Sequence, residues 1–242
     1  MKITKVYTEK YKWPKAKPIA NGKHIFTHNE LNLLCVETDE GITGYGCSWE
    51  VNFCERIGQT IIGMDPMDHE RIWQKMYVPK FLGRKGNSMW TISAIDIAIW
   101  DIKSKATGIP LYKLLGGAKD RIPYYIAGGY YGPGKGIREL QQEMEEYLSW
   151  GAKAVKMKVG AMSMKEDIAR VKAVREVIGP DTKLMVDANC AYKFFEAIEF
   201  TRRAEEFDLT WFEEPVEQDD YDGYRKIAAK STIPLAAGEN EM

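Results

Sequence analysis

The chain has 242 residues, 45% of them hydrophobic and 12% aromatic, enough to build one large core or two modest ones. Its 34 Lys and Arg nearly cancel its 35 Asp and Glu, so no basic field is available to hold nucleic acid or an anionic membrane surface. Small molecules are the expected partners. The N-terminal MKITKVYTEKYKWPK has no signal-peptide apolar core, and no run reaches membrane-spanning length, which predicts a cytoplasmic protein. Cys35, Cys47, Cys54 and Cys190 form no C-x-x-C pair and are expected to be core or near-core thiols in a reducing compartment.

In chain order, the first half reads as a small α+β unit. A strand is predicted near Ile3 to Tyr11, then a polar loop from Trp13 to Asn29 containing Pro and Gly. Leu31 to Thr38 and Ile42 to Cys47 read as strands of a hairpin, with Gly41 supplying the positive φ of its turn. Two helices follow, the second opened by Asp65-Pro66. A third, from Ser88 to Thr107, is apolar on almost every face, which predicts burial between layers; Gly108 and Pro110 stop it. From about Arg121 onward short apolar strands alternate with amphipathic helices, the pattern of a parallel α/β sheet. The strands are Ile122–Ala127, Ala154–Val159, Lys183–Ala188, Thr210–Glu213 and Ile233–Gly238. Ser163 and Glu166 form a capping box for one intervening helix, which Gly179-Pro180 ends. The expected division is a capping domain over residues 1–118 and a barrel domain over 119–242.

The chemistry lies in where charged residues fall within this repeat. Lys158, Asp187, Glu213 and Glu239 each stand at or just past the C-terminal end of a predicted strand, at intervals of 29, 26 and 26 residues. Groups one βα module apart at such ends converge on one mouth. Three carboxylates facing one another need a cation, and an all-oxygen set suits Mg²⁺ or Mn²⁺ rather than zinc. Lys156 and Lys158 share a strand face, and a neighbouring ammonium with partial desolvation lowers a lysine toward the range of a general base. Lys158 is the natural base and Lys156 the cation beside a substrate carboxylate. Asn189 shares the inward parity of Asp187 and is a candidate for substrate binding. Glu214, of opposite parity to Glu213, ranks second to it as a metal ligand, with orienting a lysine or a metal-bound water as its other expected role. His24, with Lys15, Lys17 and Lys23, makes the N-terminal loop basic; this suits an anionic substrate, with His24 as a contact, and equally suits ordinary solvation.

VKMKVG, MVDAN, WFEEP and AAGEN, in that order, resemble the lysine and metal-ligand strands of the mandelate racemase and muconate lactonizing enzyme group of the enolase superfamily. SAIDIAIWDIKSKATGIPLYKLLGG is similar to that family's long capping-domain helix and its exit. The resemblance implies an N-terminal α+β capping domain followed by a (β/α) TIM-type barrel. It also implies Asp187, Glu213 and Glu239 as Mg²⁺ ligands, Lys158 as base and Lys156 as electrophilic partner. The chemistry implied is removal of the proton α to a carboxylate, with the enediolate stabilised on Mg²⁺. An acid-sugar dehydratase, a hydro-lyase of carbohydrate acid catabolism acting on an aldonate or related hydroxy acid, is the first expectation. A racemase or epimerase of an α-hydroxy acid is the alternative, and an inactive truncated barrel is the other. About five of eight barrel strands are legible, so the chain is expected to lack the C-terminal part of the barrel and to work as a homo-oligomer or with a complementing C-terminal half.

Overall fold

The computed structural model describes residues 1–48, 53–78 and 86–241, which form two compact units. One comprises Met1–Pro14 and His28–Arg121, the other Lys15–Thr27 and Ile122–Glu241.

β1 (Ile3–Ala20), β2 (Ile25–Thr38) and β3 (Thr43–Cys47) form a sheet in that order; the far end of the β1–β2 hairpin, Lys15–Thr27, belongs to the second unit and the rest to the first. β2 and β3 pair antiparallel around a turn where Gly41 has φ 76°. The helices are α1 (Cys54–Gln59), α2 (His69–Met76), α3 (Asn87–Thr107) and α4 (Leu111–Leu114). α3 presses Ile92, Ile95, Ile99 and Ile102 into the core. Gly44 and Gly46 of β3 allow this approach: a Cβ on either would stand 2.1 and 2.0 Å from the carbonyl oxygens of Ala98 and Ala94, so any side chain there would drive strand and helix apart.

Several expectations for this half are corrected. The segment predicted as a loop from Trp13 to Asn29 is mostly strand, because β1 runs through Pro14 and Pro18 and β2 starts at Ile25. β1 is an edge strand, and an edge tolerates proline's missing N–H where a central strand does not. Asp65-Pro66 does not open α2. Asp65 Oδ1 instead accepts the N–H of Met67 at 2.9 Å, a local turn that competes with the helix, and the N-cap is Asp68. α3 is not buried all round, since Ile97 is 47% exposed. Cys47 is exposed, while Cys35, Cys54 and Cys190 are buried.

The second unit carries a five-stranded parallel sheet in sequential order: β4 (Ile126–Gly128), β5 (Ala154–Lys158), β6 (Lys183–Asp187), β7 (Leu209–Glu213) and β8 (Leu235–Ala236). Helices α5 (Ile137–Ser149), α6 (Met164–Ile178), α7 (Phe194–Ala204) and α8 (Tyr221–Ala228) connect them. These five strands and their helices are part of a (β/α) barrel, and the first unit is an α+β capping domain. Val155, Met157, Leu184, Val186 and Phe212 form a core with Leu140, Met144, Val171, Val174 and Phe200 from the helices. Burying each of these large side chains contributes roughly 1.5–3 kcal/mol. The capping box stands as read, with Ser163 N–H donating to Glu166 Oε2 at 3.0 Å and Glu166 N–H to Ser163 Oγ at 3.4 Å.

Two strands fall well short of their predicted length. β4 begins only at Ile126; Pro123 cannot donate to a ladder, and Ile122 is 76% exposed. β8 is two residues long, flanked by Pro234 and by Gly238 at φ 131°. Below the sheet, Arg175 of α6 donates to four carbonyls: Gly179 at 2.8 Å, Thr182 at 2.7 Å, Phe207 at 2.9 Å and Asp208 at 3.0 Å. The first two precede β6 and the others precede β7. Among the described residues no helix is long and apolar enough to cross a membrane.

Candidate active site

Strand register places the chemistry. Lys158 pairs with Asp187 and Asp187 with Glu213 across β5, β6 and β7, so three charged residues stand abreast where their strands end. Lys158 Nζ donates to Asp187 Oδ2 at 2.6 Å. Lys156 Nζ donates to Glu213 Oε1 at 2.6 Å and lies 3.3 Å from Asp187 Oδ2. Asp187 is fully buried and each lysine is 6% exposed. Charges this dry persist only when paired. Glu239, three residues beyond β8, completes the group: one carboxylate oxygen from each of Asp187, Glu213 and Glu239 lies within 4.8 Å of the others. Among the described residues this is the acidic set whose ligand atoms converge.

Burial together with the nearby Asp187 and Glu214 carboxylates pushes the Glu239 carboxyl above its ordinary range, against the pull of Lys158 and Lys156. A third anion is unwelcome there without a further cation. Lys156 is under two opposing influences. Burial lowers its pKa, but its contacts with Glu213 and Asp187 outweigh that and hold it above the ordinary lysine range, so pairing with carboxylates, not repulsion from Lys158, dominates.

Around the charges stand aromatic rings that sequence reasoning missed. Lys156 Nζ lies 5.5 Å from the Tyr125 ring centre and Lys158 Nζ 5.1 Å from that of Tyr130. Trp211 Nε1 donates to Glu213 Oε2 at 3.1 Å and its ring meets Tyr125 edge-on at 5.4 Å. Trp211 was findable, because it is two residues before Glu213 on one strand and shares its face. The tyrosines gave no such signal, since β4 is three residues long and neither lies on it.

The parity argument fails past the strand ends. Asn189 has φ 44° and Glu214 φ 40°, left-handed conformations that end the alternation. Asn189 donates its backbone N–H to Asp187 Oδ1 at 2.9 Å, and its own Oδ1 is buried without a hydrogen-bond partner. A buried orphan acceptor beside the charged cluster is suited to a ligand donor. Glu214 binds neither lysine; its carboxylate accepts from Asn240.

His24 lies exposed in the turn between β1 and β2. Asn21 Oδ1 closes that turn by accepting the N–H groups of Lys23 at 2.9 Å and His24 at 2.7 Å. The turn rests on the chain following β5 and β6: a Cβ on Gly22 would stand 2.5 Å from the Cβ of Ala191 and 2.9 Å from the Ala188 carbonyl. Lys23 reaches Glu217 in an ion pair. The His24 ring faces Phe26 at 6.2 Å, and no hydrogen bond joins it to the lysines or carboxylates among the described residues.

The loops at this end are tied by Asp167, a fully buried carboxylate on α6. It accepts from the hydroxyls of Tyr131 and, at 3.1 Å, Tyr192, and from Gly160 N–H at 2.8 Å. One side chain thus joins the chain after β4, β5 and β6.

A parallel βα sheet with lysines and carboxylates gathered at the C-terminal ends of its strands has the architecture of a (β/α)-barrel active site. Residues 3–116 match the N-terminal domain of mandelate racemase / muconate lactonizing enzyme, and residues 139–242 match the enolase C-terminal domain-like family. The chain is 40% identical to the arabinonate dehydratase of Saccharolobus solfataricus, over 87% of its own length and 59% of that protein's. It is 36% identical to the 3,6-anhydro-alpha-L-galactonate cycloisomerase of Streptomyces coelicolor, over 98% of its length and 68% of the relative's. The crystal structure of a racemase from Streptomyces coelicolor A3(2) with bound magnesium superposes with a TM-score of 0.91 at 34% identity, covering 99% of this chain and 70% of that one. The chain belongs to the mandelate racemase/muconate lactonizing enzyme family of the enolase superfamily. It spans 59% of the arabinonate dehydratase's length.

Proposed function

We propose that the chain carries the metal- and base-bearing part of a Mg²⁺-dependent enzyme that removes the proton α to a carboxylate, dehydrating a sugar acid of the aldonate type. The observation that carries this reading is the convergence of Asp187, Glu213 and Glu239 beside Lys158. The donor set fits Mg²⁺: all three residues would offer hard carboxylate oxygens, and one oxygen from each lies within 4.8 Å of the others. The Glu239 carboxyl is raised by burial first and by the Asp187 and Glu214 carboxylates second, so a cation would be welcome beside it. When bound, Mg²⁺ supplies positive charge that polarises the substrate carboxylate and makes its α-proton more acidic.

The rest falls to the protein's own groups. Lys158 Nζ takes the α-proton, and the electron pair left on the α-carbon forms a double bond to the β-carbon as the β-hydroxyl departs with a proton as water. Lys156, held against Glu213, presents its charge to the substrate carboxylate, and Asn189 Oδ1 accepts a hydrogen bond from a substrate hydroxyl. The match to the arabinonate dehydratase supports a sugar acid as substrate. Racemisation of an α-hydroxy acid begins with the same proton removal, and the superposed racemase favours it as second reading.

In a full-length form, Lys158→Ala should abolish exchange of solvent deuterium into the substrate α-carbon while leaving Mg²⁺ bound. Exchange at the parent rate removes Lys158 from the mechanism. Screening sugar acids for 2-keto-3-deoxy products separates dehydration from racemisation, which returns only the opposite configuration.

A further inference from the structure

The third carboxylate poses a problem of placement. Asp187 and Glu213 terminate strands paired on both sides, whereas Glu239 stands past the two-residue β8 on exposed chain. Neither ladder nor core packing holds it. Its neighbour Asn240, however, is fixed: Asn240 Nδ2 donates to both carboxylate oxygens of Glu214, each at 2.9 Å, and Asn240 N–H donates to Glu214 Oε1 at 3.2 Å. Glu214 is itself immobilised. It is 1% exposed, its N–H donates to the Ala236 carbonyl at 2.9 Å, and its carbonyl accepts from Cys190 N–H at 2.7 Å. Its φ of 40° is unfavourable for a residue with a side chain and persists only where surroundings enforce it.

We propose that Glu214 is a positioning residue whose carboxylate clamps Asn240 and thereby sets Glu239 against Asp187 and Glu213; this rests on reading those three carboxylates as the Mg²⁺ ligands. Hydrogen bonds to a carboxylate are about twice as strong as neutral ones, and Asn240 brings two N–H donors to one rigid acceptor. Groups that orient ligands in this way typically carry ten- to hundredfold in metal affinity.

Charge alone makes the opposite prediction at Asn240, which gives the test its sign. If Glu214 acts only by adding negative potential, an aspartate at 240 should strengthen cation binding. If it acts as a clamp, that aspartate repels Glu214 and weakens binding. Isothermal titration of Mg²⁺ into the 242-residue chain should show Asn240→Leu, Asn240→Asp and Glu214→Gln each about ten- to hundredfold weaker than the parent. The double variant Glu214→Gln/Asn240→Asp reverses the polarity of the bond, with the Gln amide donating to the new carboxylate, and should recover most of the loss. Asn240 is exposed, so its variants should keep the parent's melting temperature even if Glu214→Gln does not fold. Parent-like or tighter binding by both Asn240 variants, with Asp187→Asn abolishing binding, overturns the clamp alone. A parent that binds no Mg²⁺ overturns the metal reading and the clamp with it.

Discussion

The two sides of the carboxylate cluster are built by different means. On the β5–β6 side, Asp187 is fully buried, paired in a ladder, and held by two lysine ammoniums. On the β8 side, Glu239 is exposed and stands beyond the last ladder bond. Position on the first side comes from strand register and dryness, on the second from side-chain hydrogen bonds one residue away. Substitutions on the first side should therefore disturb folding and metal binding together, whereas those on the second should disturb metal binding alone.

The sharpest break is at Asp187. Asp187→Asn takes from the buried Lys158 ammonium its carboxylate and leaves Lys156 only Glu213, and removing one partner of a buried pair costs about 3–5 kcal/mol; urea unfolding should show that loss, and titration should show no Mg²⁺ binding. Glu239→Gln should weaken Mg²⁺ by about ten- to a hundredfold, taking ligand loss as at least comparable to loss of a ligand's orienting partner, with an unchanged urea midpoint. A large stability loss at Glu239 would erase the distinction between the sides.

Arg175→Ala provides the converse, acting at the opposite end of the strands. Four carbonyls lose their donor. At about 1 kcal/mol per net hydrogen bond, stability should fall by roughly 2–4 kcal/mol while Mg²⁺ affinity stays put. The smallest effect concerns Asp167. Burial raises its carboxyl above the ordinary range, against the lowering by its bonds from Tyr131, Gly160 and Tyr192. A carboxyl raised in the folded state contributes stability that is present below its unfolded pKa and is lost as pH rises through the folded one. The stability of the parent relative to Asp167→Asn should thus be greater near pH 4, about the ordinary aspartate value, than near neutrality. An offset independent of pH would contradict the assignment.

The cluster was legible in the sequence because it obeys simple periodicities. Lys156 and Lys158 alternate on a strand, and one module's spacing sets Asp187 and Glu213 abreast. What was less legible lies where periodicity stops. Asn189 and Glu214 take left-handed backbones just past their strands, so counting parity across those positions gave no direction for either side chain. Trp13 to Asn29 misled because Pro14 and Pro18 look like breakers unless the strand is known to be an edge. Asp167 is invisible in the sequence, being one acid among many on a helix; only the fold shows that it receives Tyr131, Gly160 and Tyr192.

Arg175 also bears on how the molecule comes apart. Each βα module has its own helix and strand, and modules stacked in order can in principle unfold one at a time. A single guanidinium, however, is shared between the chain entering β6 and the chain entering β7. Releasing either segment leaves a half-buried cation short of acceptors, so the cost of opening one is partly removed by opening the other. The two should form one cooperative block, with the amides of β6 and β7 exchanging hydrogen at a common opening free energy. The strands that carry Asp187 and Glu213 would then be lost or kept together, and partial openings that separate the two carboxylates should be rare.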